Sequence, residues 1–256
     1  MIFKRIETLL KDCGSGQSVM PPTQLYSEGW MLRLTLDWFT SIAIEGKKHP
    51  LAVPPGSQWY SEALLPSAFL PEWRGDSRAE SWTHADGVIG HFSIGDGAKG
   101  NLTLNPDATH FVVLEAKMFS KLSSGVSHAA YFNQAARNVA CIAEVLKRAE
   151  RQAHAFEALG FYVLAPSSQI EQGVFDKDLD KDSLHATVKQ RVEGYEGKRD
   201  RWFSECFLPV LERLEVKAVS WEELIIYLLA SDPAADQLQY FYERCLEFNL
   251  PPKKAE

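Results

Sequence analysis

Residues 109–117 read Thr-His-Phe-Val-Val-Leu-Glu-Ala-Lys, and no other stretch constrains the fold as strongly. Four consecutive apolar residues, Phe111 to Leu114, are the pattern of a strand covered on both faces, which needs layers on either side of a sheet. The run breaks at once into Glu115 and Lys117. Side chains two apart on a strand point to the same side, so the carboxylate and the ammonium leave the strand end together. Burying charge is costly unless it is paired or bound to a metal. The strand end is therefore either an ordinary ion pair reaching solvent or part of a reactive site.

The chain has 256 residues, 45% of them hydrophobic, enough for one sizeable core or one domain with a helical appendage. A net charge of −7 gives no support to broad nucleic-acid binding but leaves room for a local basic groove. Cys13, Cys141, Cys206 and Cys245 lack CxxC spacing, so reduced thiols are expected rather than a zinc site or disulfide framework. No stretch approaches the ~20 apolar residues of a membrane span. The start, Met1 to Arg5, lacks a leader pattern. The expectation is a soluble, cytoplasmic protein.

Along the chain, residues 1–22 form an N-terminal segment with a short amphipathic helix over 1–12 and a Gly/Ser/Pro-rich break. Thr23 reads as the cap of a helix from Gln24 to about Phe39. Residues 46–58 read as a loop, 60–72 as a short helix and 82–94 as a strand. Gly95-Asp96-Gly97 reads as a turn, Leu102–Leu104 as a short strand and Thr109–Lys117 as the buried strand. A long helix is expected from Ser127 to about Ala158, with Ala135, Val139, Ile142, Leu146 and Ala149 as its core stripe. Phe161–Ala165 is a further buried strand. The order is an α/β pattern with its core in residues 23–166. Residues 167–256 read as a mostly helical extension packed on that core: a helix with loops over 171–200, then helices at 205–214, 221–229 (capped by Ser220) and 234–248. The last four residues read as frayed.

Several residues join Glu115 and Lys117 as candidates. Asp86 lies in a strand-like segment where Asp is disfavoured, although Asp86-Gly87 also suits a turn. Glu28 falls on the apolar stripe of Leu25, Leu32, Leu36 and Phe39, either wanting a partner or leaning into water. Gln134 and Asn138 stand one helical turn apart, with Tyr131 just before them and Arg137 between; the plain reading is a solvated helix face. His84 shares a strand face with Asp86 and reads as structural, and His91, His110 and His128 are too dispersed for a metal cluster. Neither a phosphate-binding GxxxxGK[ST] loop nor a GxSxG elbow is present.

Taken together, Glu28 in an early helix, Asp86 in one strand, Glu115-Ala116-Lys117 at the end of the next and Gln134 in the following helix resemble the PD-(D/E)XK, or restriction-endonuclease-like, nuclease superfamily. The likeness covers roughly residues 23–166 and is greatest to the exonuclease-like branch, whose helix after the motif carries a Gln. Two positions depart from the family pattern: Ala85 stands where a Pro often precedes the Asp, and Asn138 stands where a Tyr usually follows the Gln by one turn. The resemblance implies a mixed central sheet flanked by helices and a Mg²⁺-dependent deoxyribonuclease, with Mn²⁺ as a substitute metal. Asp86, Glu115, the Ala116 carbonyl and Glu28 would hold the metal. Lys117 would position or deprotonate the attacking water, and Gln134 would orient substrate. A catalytically inactive nucleic-acid-binding protein of the same fold is the alternative; a structural Glu115–Lys117 ion pair is a third reading.

For DNA as partner, Lys117, Lys121, Arg137, Lys147, Arg148 and Arg151 offer positive charge around the motif. Lys189, Arg191, Lys198, Arg199 and Arg201 form a second cluster with Tyr195 and Trp202, a mixture suited to a single strand with stacked bases. Glu193, Glu196 and Asp200 dilute that run, so a solvated charged helix is the plainer reading. The C-terminal helices could also support a dimer.

Overall fold

In the computed structural model, which describes residues 2–15, 18–42, 49–95, 100–125 and 129–250, the apolar run becomes a strand with every residue buried. In chain order the elements are α1 (Ile2–Lys11), α2 (Glu28–Ser41), β1 (Gln58–Leu65), β2 (Thr83–Gly90), β3 (Phe92–Ile94), β4 (Leu102–Leu104), β5 (His110–Ala116), α3 (Gln134–Arg148) and β6 (Ala158–Ala165). They continue as α4 (Ser167–Glu171), α5 (Asp176–Leu179), α6 (Lys181–Glu193), α7 (Asp200–Trp202), α8 (Leu208–Arg213), β7 (Glu215–Ser220), α9 (Trp221–Leu229) and α10 (Asp236–Asn249). A five-stranded mixed sheet in the order β1-β2-β5-β6-β7 forms the middle layer. The β1–β2 and β2–β5 pairs are antiparallel, and β5–β6 and β6–β7 are parallel.

Helices cover both faces, as the unbroken apolar run of β5 requires. On one face Phe111 and Val113 pack with Val139 and Ile142 of α3, Val188 of α6 and Leu211 of α8. On the other, Val112 and Leu114 pack with Leu32 and Leu36 of α2, Leu224 and Leu228 of α9 and Tyr242 of α10. Each fully buried Val or Leu of β5 contributes about 1.5–3 kcal/mol. The residues after 166 are not a separate layer, since β7 completes the sheet and α10 lies against α2. All four cysteines are free. Among the described residues no helix is long and apolar enough to cross a membrane.

The structure corrects several boundaries. Residues 60–72 do not form a helix: Tyr60 to Leu65 belong to β1, because pairing with β2 and burial of Ala63, Leu64 and Leu65 override local propensity. The first core helix starts at Glu28, where the Ser27 hydroxyl accepts from the Trp30 amide, while Thr23 lies in a short 3-10 turn. The strand expected over 82–94 breaks at Gly90, whose backbone passes so close to β5 that a Cβ there would lie 2.2 Å from the His110 carbonyl oxygen. The long helix is shorter at both ends. Asn133 caps α3 by accepting from the Ala136 amide at 2.9 Å. Glu150, at φ 53, closes it in a Schellman turn, with the Arg151 amide donating to the Leu146 carbonyl at 2.9 Å. The strand β7 has no counterpart in the sequence reading. Its six residues are mostly half-buried and lack the alternation that marks a strand. The turn at Gly95-Asp96-Gly97, the start of the helix at Ser127, part of the 46–58 loop and the terminal tail lie outside the described residues.

Candidate active site

The site forms where β2 and β5 part company. Their backbone pairing runs from Gly90 with Phe111 to Gly87 with Leu114 and stops there. The next residues in that register, Asp86 and Glu115, face each other with side chains instead of backbone bonds. Asp86 Oδ2 accepts the Ala116 amide at 2.8 Å, so a side-chain oxygen takes over where the ladder ends.

The β1 strand is distorted at the same level. Pairing with β2 holds at Ser61 with Gly87 and at Ala63 with Ala85, but Glu62 and Asp86 between them do not pair, and Glu62 sits at φ 60. This left-handed backbone is costly for a non-glycine residue. The irregularity turns both strands over. Val88 and Ala85, three apart, pack in the same cluster, although strict alternation would put them on opposite faces. Likewise Trp59 packs on the α2 side while Ala63 and Leu65 pack on the α3 side. The half-turn sets the half-buried Asp86 at the boundary, next to Glu115.

Glu115 is 1% exposed and lies at the centre of a network. Lys117 Nζ donates to Glu115 Oε1 at 2.6 Å. The Gln134 amide, at the first turn of α3, donates to the same oxygen. One turn further, Asn138 Nδ2 donates to Glu115 Oε2 at 3.4 Å. Burial, reinforced by the Asp86 charge and a hydrogen bond shared with Asp86, pushes the Glu115 carboxyl up to about 8, even though Lys117 opposes the shift. The two carboxyl groups are thus within direct reach of each other.

Lys117 is nearly as buried as Glu115. Burial works against its charge, but Glu115 first, then Asp86 and Glu28, outweigh that and raise its pKa. Its backbone is fixed on both sides, with the Lys117 amide donating to the Leu164 carbonyl at 2.8 Å and the Trp221 indole donating to the Lys117 carbonyl at 3.0 Å. Glu28 enters from α2. Its half-buried carboxyl is raised by burial and by the Asp86 charge, while the Lys117 charge and a hydrogen bond from the Met118 backbone lower it. At the first turn of α2 it also meets the positive end of the helix. Gln134 is oriented from behind, its Oε1 accepting from the Ser123 amide at 3.1 Å and hydroxyl at 3.3 Å.

All five side chains singled out in the sequence, Glu28, Asp86, Glu115, Lys117 and Gln134, therefore interact around one point, with Ala116 buried among them. Asn138 does not lie on a solvated face; it is fully buried and serves Glu115. Its spacing of four from Gln134 was the available signal. Ser123 and Glu62 carried none. His84 is an exposed residue, with Nδ1 4.0 Å from Glu62 Oε2.

The donor set fits a hard divalent cation. Its charged ligands are carboxylates, with the Ala116 carbonyl as the neutral oxygen that the resemblance adds, and such ions commonly take one or two carboxylates. Two carboxylates side by side repel each other, a cost that a cation between them removes. Glu28 is an outlying third carboxylate: among the described residues no compact group of three or more His, Cys, Asp or Glu side chains occurs.

The basic clusters are less concentrated than their spacing implied. Lys147 and Arg148 pair with Glu144, and Arg151 donates to the Ala108 carbonyl, all at or beyond the far end of α3, about 20 Å from Gln134. In the second cluster Tyr195, Trp202 and Arg191 are core residues. Arg191 lies over the rings of Phe69, Phe132 and Tyr195. Lys198 and Arg199 reach Glu72. Comparison with known proteins finds no matching family model, no similar curated protein and no similar solved structure.

Proposed function

We propose that this protein is a metal-dependent phosphodiester hydrolase acting on DNA, with the restriction-endonuclease-like architecture that its motifs resemble. The observation that carries the reading is the meeting of Asp86, Glu115 and Lys117 where β2 and β5 separate. The order α2, β1, β2, β5, α3, β6, with two antiparallel pairings followed by a parallel one, supports the same architecture.

Asp86 and Glu115 would hold Mg²⁺ or Mn²⁺, with Glu28 beyond them. Such a cation, when bound, supplies positive charge to the phosphate oxygens. Lys117, held against Glu115, would position the attacking water or take its proton and offset charge on the phosphate. Gln134 and Asn138 hold the Glu115 carboxyl in one orientation. Calorimetric titration with Mg²⁺ or Mn²⁺, alongside cleavage of labelled DNA, tests the reading; heat of binding that vanishes in Asp86→Asn is expected.

A second reading is a nucleic-acid-binding protein of this architecture without catalysis. One observation favours it: Lys117, Gln134 and Asn138 already satisfy both oxygens of Glu115. That reading predicts no metal-binding heat and intact DNA binding.

A further inference from the structure

A groove of 700 Å³ opens on the β1 side, lined by Tyr60, Glu62, Trp82, His84 and Asn101 among others, with Glu62 opposite Asp86 and Trp82 at the end next to Arg148. Its size is in the range of ligand-binding clefts. Three features give it a chemistry. Tyr60, 36% exposed, and the half-buried Trp82 offer aromatic surface, and Arg148 holds Trp82 in place with its guanidinium 5.5 Å from the ring centroid. Asn101, His84 and Glu62 add donors and acceptors for the edge of a planar heterocycle. The fixed charge is the carboxylate of Glu62, shared between Arg33 at 3.4 Å and His84 at 4.0 Å. Paired with Arg33, that carboxylate leaves the groove close to neutral, which suits a planar ring.

The groove is built rather than incidental. The Leu64 amide donates to the Gly100 carbonyl at 2.8 Å, tying the far wall to β1. Gly100, at φ 69, lies so close that a Cβ would meet both the Glu62 carbonyl oxygen and the Tyr60 ring at 3.0 Å. The strained Glu62 lies across from Asp86, and His84 is two residues from Asp86 on the same strand, about 7 Å along it. That is on the scale of one nucleotide step from the phosphate site.

We infer that this groove holds an unpaired nucleobase adjoining the phosphate bound at Asp86 and Glu115, so that the preferred substrate is a single strand or a frayed duplex end. The inference rests on the hydrolase reading above for the position of the phosphate. Base stacking on aromatic side chains is tolerant of sequence, so the groove selects strandedness, not a particular base.

Fluorescence anisotropy in Ca²⁺, which occupies the carboxylates in place of Mg²⁺, tests it, with a labelled single-stranded DNA oligonucleotide and the matching blunt duplex as probes. Tyr60→Ala and His84→Ala should each weaken single-strand binding, Tyr60→Ala by about ten-fold, with Tyr60→Phe near wild type and duplex binding unchanged. In a series of oligonucleotides carrying one abasic position, a single position should bind weakly to the wild type, and Tyr60→Ala should erase that difference. Unchanged single-strand affinity in both alanine variants, or a flat abasic series, overturns the inference. The hydrolase reading fails separately. If the wild type discriminates in this way yet cleaves nothing with Mg²⁺ or Mn²⁺, the groove stands and the hydrolase falls. If Asp86→Asn abolishes cleavage while both alanine variants bind like wild type, the groove falls and the hydrolase stands.

Discussion

The Ala116 amide donates to Asp86 Oδ2 at 2.8 Å, one residue beyond Gly87 and Leu114, the last backbone pair joining β2 and β5. Asp86 therefore has a structural task as well as its proposed metal-binding one. Asp86→Ala leaves the amide of a fully buried residue without its acceptor, at a loss of about 1–3 kcal/mol. Asp86→Asn keeps an oxygen in place and should retain most of that stability while losing cleavage and metal binding. Urea unfolding of the two variants separates the roles; equal destabilisation would remove the structural one.

Stability without metal should depend on the Glu115 carboxyl. Its folded pKa is raised to about 8 from an ordinary value of 4.5, chiefly by burial and then by Asp86. Between those values the folded state holds a proton that the unfolded state has lost. This contribution is complete below pH 4.5 and disappears as pH rises through 8. Melting curves in EDTA should show Glu115→Gln lacking this decline, and added Mg²⁺ should raise the wild-type melting temperature most at the alkaline end.

Asn138 orients Glu115 from the second turn of α3, fully buried. Replacing it with Leu, of the same branching but without the donor, should lower metal affinity or cleavage by about 10–100-fold, as loss of outer partners of metal ligands typically does. Circular dichroism would confirm the fold, and steady-state rates against Mg²⁺ concentration would measure the loss.

Arg191 belongs to the core and not to a nucleic-acid face. Its planar group lies over Phe69, Phe132 and Tyr195. Arg191→Lys keeps the charge but loses the flat stacking surface, and should cost about 2 kcal/mol with DNA affinity per folded molecule unchanged. A selective loss of DNA affinity would return this cluster to the binding surface.

The buried strand and the α/β order were legible because they follow from local pattern, whereas Glu28, Asp86 and Gln134 became site candidates only through the family resemblance. Four apolar residues followed by Glu115 and Lys117 need no partner to be noticed. What was hidden depends on tertiary pairing. Tyr60 to Leu65 look helical in isolation and become β1 only against β2. Strand β7 is mostly half-buried and so lacks a strand's alternation. Glu62 leaves no mark in sequence, since its left-handed backbone exists only opposite Asp86. The basic residues misled for two reasons: Glu144, three and four residues before Lys147 and Arg148 on one helix, was readable as their partner, while Glu72, distant in sequence from Lys198 and Arg199, was not.

The central claim is tested most directly by the rate at which a labelled DNA strand is cleaved by purified wild-type protein and by Lys117→Ala, in Mg²⁺ and in EDTA. The expected result is cleavage by the wild type in Mg²⁺ alone, and at least a hundred-fold slower cleavage by a folded Lys117→Ala protein, about the lower bound for losing a positioned catalytic group. Equal rates for the two proteins, or undiminished cleavage in EDTA, would contradict it.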